Sequence, residues 1–76
     1  MNNSILKAFG LRIKAIRLKR GFSQEQLGLI AELDRTYISR IERGLRNVSL
    51  INLERLAIAL NTEPAELLKF DEPHNV

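Results

Sequence analysis

Residues 23–44 read Ser-Gln-Glu-Gln-Leu-Gly-Leu-Ile-Ala-Glu-Leu-Asp-Arg-Thr-Tyr-Ile-Ser-Arg-Ile-Glu-Arg-Gly. The stretch fits two short helices joined by a tight turn. Ser23 with Gln26 three positions on is a capping-box pattern, which predicts a helix over about 24–31. Leu27, Ile30 and Ala31 give that helix an apolar face. Gly28 costs about 1 kcal/mol relative to alanine in a helix interior, a cost tolerated where another backbone packs closely. Asp34 is a second N-cap, opening a helix over about 35–43 that Gly44 closes. Only Ile38 and Ile41 are strongly apolar there, and Arg35, Thr36, Tyr37, Ser39, Arg40 and Arg43 lie on the faces left free. A short helix rich in arginine and hydroxyl groups, braced by a second helix, suits the DNA major groove.

The flanking sequence supplies a frame for this pair. Ile5, Leu6, Phe9, Ile13 and Ile16 recur at three- and four-residue steps, predicting a first helix over about 4–19. Gly21 ends it in a left-handed conformation, and Phe22 staples the turn before Ser23. Ser49 caps a fourth helix over about 50–60, with Leu50, Leu53, Leu56, Ala57 and Leu60 as its core face and Asn61 as its C-cap. Pro64 opens a fifth over about 64–70, with Leu67 and Leu68 facing inward. Five helices with short connections make an all-α bundle. The reading is one domain over residues 1–76, with an ordered core of about 4–70 and a frayed tail at 71–76.

Composition narrows the partners. Residues 1–46 hold ten Lys and Arg against Glu25, Glu32, Asp34 and Glu42, a net of +6, whereas residues 47–76 carry −3. Basic charge gathered on one part of a small domain is the footprint of a polyanion partner, although solvated helix faces account equally for Lys7, Lys14 and Lys19. With no cysteine there is no disulfide framework and no thiolate chemistry, which suits a reducing cytoplasm. No long apolar run spans a membrane, and a domain this small without staples often gains stability by self-association. There is no nucleophile–base pair, phosphate loop or ligand cluster, and His74 stands alone, so the sequence supports no catalysis, metal or cofactor.

Together, Phe22–Ala31, Asp34–Gly44 and Arg46-Asn47-Val48-Ser49-Leu50 resemble the lambda-repressor-like (Xre-type) helix-turn-helix regulators, over about residues 5–70. Within that family, Leu33 to Ser39, Ile41-Glu42-Arg43 and Arg46-Asn47 are most similar to the controller proteins of restriction–modification systems. The resemblance implies a homodimer on a pseudo-palindromic double-stranded operator, regulating its own gene and that of the endonuclease. RNA polymerase is a further implied partner when such a protein activates. Phage or plasmid repressors and autorepressing antitoxins share much of the pattern and stay open, as does, from another class, a protein-interaction module that has lost DNA binding. Many relatives carry glycine where Glu32 stands and proline where Val48 stands, so Glu32 is expected to accommodate φ > 0. Leu29, Ile30 and Leu45 occupy positions often polar in relatives and are candidates for exposure.

On that frame Arg35 and Thr36 are expected to read bases, with Tyr37 and Arg40 beside them; the bland alternatives are solvated or packing side chains. Gln24, Ser39, Arg43, Arg46, Asn47, Ser49 and Asn52 are expected on the phosphate backbone, where contacts position the domain without carrying sequence information. Ser49 could equally do nothing beyond capping. Arg17 and Glu42 are assigned to a structural bridge between the first and third helices, as in related domains. Ile51, Pro64, Leu67, Leu68 and Phe70, in the acidic half, are assigned to the dimer contact.

Overall fold

A computed structural model describes residues 4–70. Four α-helices, α1 (Ser4–Lys19), α2 (Gln24–Ala31), α3 (Arg35–Glu42) and α4 (Leu50–Ala59), are followed by a 3-10 turn, Pro64–Leu68. No strand occurs among the described residues. The expected tail and His74 lie outside them. The anticipated fifth α-helix is therefore corrected to one short 3-10 segment. Such segments rarely run beyond three or four residues, and this one buries only Leu67. Its single anchor gives the chain no continuous apolar stripe with which to hold a longer helix.

Caps set the element boundaries. Ser23 Oγ accepts the Gln26 N–H at 3.0 Å while Gln26 Oε1 accepts the Ser23 N–H at 2.7 Å, completing the capping box. Asp34 accepts the Thr36 N–H at 2.9 Å, and Ser49 the Asn52 N–H at 3.1 Å. Glu32, with φ 60°, takes the left-handed turn between α2 and α3, as expected, and so does Asn61 after α4, with φ 55°. Leu33 N–H then reaches back to the Gly28 carbonyl at 2.8 Å, which satisfies the end of α2.

The helices converge on Phe9, Ile13, Leu27, Ile38, Ile41, Leu56, Leu60 and Leu67, all buried. α3 packs between α1 and α2, while α4 packs on α2 and on the 3-10 turn. Two glycines permit these crossings. A Cβ on Gly28 would stand 2.6 Å from the Leu33 carbonyl oxygen, so the close backbone here is that of the turn itself. A Cβ on Gly10 would strike the Ile41 carbonyl oxygen, so α1 lies directly against the end of α3. Sequence reading did not single out Gly10.

Four core assignments are corrected. Leu50 is 82% exposed, because it stands on the rim of an open groove shared with Ile5, Leu6 and Phe9 of α1 rather than in the closed core. Ile5 is likewise exposed at the start of α1, and Ile30 is exposed because α2 buries its Leu27–Ala31 side. Leu68 is exposed rather than inward-facing, leaving Leu67 as the sole plug of its turn. Leu29, Ile30 and Leu45 are all exposed, in keeping with the exposure expected at these three positions.

Candidate nucleic-acid interface

α3 presents two faces. Ile38, Ile41 and Glu42 are buried, whereas Arg35, Thr36 and Arg40 are exposed and Tyr37 and Ser39 half-buried. Arg35, Thr36 and Ser39 share a shallow notch with Gln24 from the start of α2. The structure thus brings together one expected backbone-binding residue of α2 and three residues of α3. Arg43, the α3 C-cap, and Arg46 follow on the exposed exit of the helix.

Tyr37, Arg46 and Asn52 form a cluster that residue spacing did not reveal. The Arg46 guanidinium stands 4.7 Å from the centre of the Tyr37 ring, a cation–π arrangement. Asn52 Nδ2 donates to the Tyr37 hydroxyl oxygen at 3.1 Å. That bond leaves the phenolic O–H and the second Asn52 N–H for other acceptors. The ring therefore holds Arg46 against the protein while the charged head stays at the surface. Ser49 is committed to its cap and Asn47 is exposed beside it. The α4 N-terminus lies next to this cluster, with the partial positive charge that favours an anion.

The Arg17–Glu42 bridge is present. Arg17 Nε donates to Glu42 Oε2 at 2.6 Å and Nη2 to Oε1 at 3.0 Å, in a bidentate pair with side-chain exposures of 8% and 3%. Arg17 Nη1 also donates to the Phe22 carbonyl at 2.8 Å. Gln24, which could have been an ordinary exposed residue, is half-buried and donates from Nε2 to Glu42 Oε1 at 3.0 Å.

Ile5, Leu6, Phe9, Asn47, Val48, Leu50, Leu53 and Leu68 line an apolar groove of about 220 Å³. Among the residues assigned to dimer contact, Ile51, Pro64 and Leu68 are exposed and Phe70 is half-buried against the core. Leu67 is fully buried inside its own chain, so that assignment is corrected: its side chain is unavailable to a partner. Among the described residues no group of three His, Cys, Asp or Glu gathers as a metal site, and no helix is long and apolar enough to cross a membrane.

A family model described as helix-turn-helix matches residues 13–67, and the chain belongs to that family. It is a helix-turn-helix regulator, not an enzyme. More particularly, it is similar to control protein C.BamHI of Bacillus amyloliquefaciens, 51% identical over 92% of this chain and 88% of that protein. The solved structure of the restriction-modification controller protein C.AhdI from Aeromonas hydrophila is 48% identical, with a TM-score of 0.83 over 84% of this chain and 97% of that one. The biofilm master regulator SinR, solved in complex with DNA, is 35% identical, with a TM-score of 0.77 over 80% of this chain and 98% of that one.

Proposed function

We propose that this chain is a restriction–modification controller that binds a pseudo-palindromic operator as a homodimer and regulates its own gene and that of the endonuclease in the cytoplasm. The observation that carries the reading is the two-faced α3, anchored by Ile38, Ile41 and Glu42 and displaying Arg35, Thr36 and Arg40 to solvent. Similarity to C.BamHI and C.AhdI supports the controller type, and the DNA complex of SinR supports the partner. Arg35 and Thr36 enter the groove, with Tyr37 and Arg40 alongside. Gln24, Ser39, Arg43, Arg46, Asn47 and Asn52 meet phosphates, with the N-terminus of α4 that Ser49 caps among them. Two copies associate through Ile51, Pro64, Leu68 and Phe70, together with Leu50 and Ile5 at the apolar groove. RNA polymerase is the partner when the bound dimer activates.

The experiment is footprinting on DNA upstream of the protein's own gene, over a series of salt concentrations. The expected result is two protected half-sites about one helical turn apart, with affinity falling steeply as salt rises. Uniform weak binding along all DNA, or none, contradicts the proposal.

A further inference from the structure

Side chains from three helices meet at one carboxylate. Glu42 of α3 receives Arg17 of α1 on both oxygens, and its Oε1 accepts a further bond from Gln24 of α2. A brace between α1 and α3 requires only Arg17. The third bond runs outward, to a residue lining the notch beside Arg35, Thr36 and Ser39. A glutamine amide carries two N–H donors and one carbonyl acceptor, so the bond to Glu42 leaves one N–H and the carbonyl to serve the notch.

We propose that Glu42 is a positioning residue for DNA binding, holding the Gln24 amide in one pose so that its second N–H donates to a backbone phosphate. This rests on the DNA-binding reading above. A glutamine at a helix start must give up rotamer freedom when it meets a phosphate, and one already held gives up less. The buried pair thereby fixes a side chain of the interface as well as the crossing of α1 and α3.

A double-mutant cycle on DNA affinity tests the coupling, with melting curves confirming that each variant is folded. Gln24→Ala and Glu42→Gln each weaken operator binding about tenfold, and the double variant is no weaker than either. Losses are equal on operator and random DNA, because a phosphate carries no sequence. Where Glu42→Gln melts too low, Arg17→Met with Glu42→Leu removes both charges while keeping an apolar filling, and Gln24→Ala then has no further effect. A scan of neutral methylphosphonates along the operator finds one position in each half-site that weakens the wild type but neither single variant. In the free protein a Gln24 side-chain amide proton exchanges slowly. Losses that multiply in either background, a Gln24→Ala variant that binds like the wild type, or a freely averaging Gln24 amide overturns the proposal. A wild type that binds no DNA sinks instead the reading on which it rests.

Discussion

The outer face of α3 and the apolar groove between the starts of α1 and α4 are both exposed, but for opposite reasons. On α3 the exposed groups are Arg35, Thr36 and Arg40, on a helix whose cap and buried stripe are complete within one chain. Around the groove they are Ile5, Leu50 and Leu68, with Ile51 nearby. Exposed apolar residues scattered singly are ordinary, whereas a contiguous set marks a contact surface. The α3 face is thus finished and awaits a charged, hydrated partner. The groove is open within one chain, and in the proposed function a second copy covers it and supplies the second half-site contact.

The largest effect separates these surfaces. Leu50→Asp places a carboxylate at the first position of α4, where a helix N-terminus favours it, so the monomer keeps its stability. Sedimentation should show the dimer lost, and operator affinity should fall about a hundredfold or more, as the two half-sites are no longer linked. A dimer that survives places the contact elsewhere.

Gly28→Ala tests whether the exposed face of α3 depends on the turn behind it. The new methyl stands 2.6 Å from the Leu33 carbonyl oxygen, backbone that cannot move aside without shifting Asp34 and Arg35. Chemical denaturation should show a loss of about 1–3 kcal/mol. DNA binding should weaken even at temperatures where the variant is fully folded.

Arg46→Ala should lower affinity for operator and random DNA alike and reduce the salt slope by about one. Dimerisation should be unaffected, because Arg46 leans on Tyr37 rather than on the groove. The smallest effect concerns Glu66. A hydrogen bond and the charge of Lys69, helped by Arg12, hold its carboxyl below the usual range against an opposing effect of desolvation. Its stabilisation is therefore present above the ordinary carboxylate range and lost as pH falls through its own lower value. Carboxyl titration by NMR should show Lys69→Ala moving Glu66 back up, with little change in melting at neutral pH.

Much of the fold was legible because its determinants are local. Ser23, Asp34 and Ser49 act within their own first turns, and Glu32 and Asn61 take the left-handed conformations their places at helix ends imply. The misplaced residues depend on neighbours distant in sequence. Leu50 continues the stripe of Leu53, Leu56 and Ala57, but at its end of α4 the space towards α1 is an open groove rather than closed core. Leu67 and Leu68 are equally apolar, and only the 3-10 geometry decides which one points inward. Gly10 carries no local signal that singles it out in the sequence, and its role appears only where α1 meets the Ile41 carbonyl. The Gln24–Glu42 bond likewise joins residues 18 apart on different helices.

Whether α3 reads bases is decided by the affinity of Arg35→Ala for operator and for random DNA at one salt concentration. The exposed Arg35 side chain can pair bidentately with guanine, so operator binding should fall by about 1–3 kcal/mol while random binding changes far less. Equal losses on the two DNAs would contradict direct reading by α3.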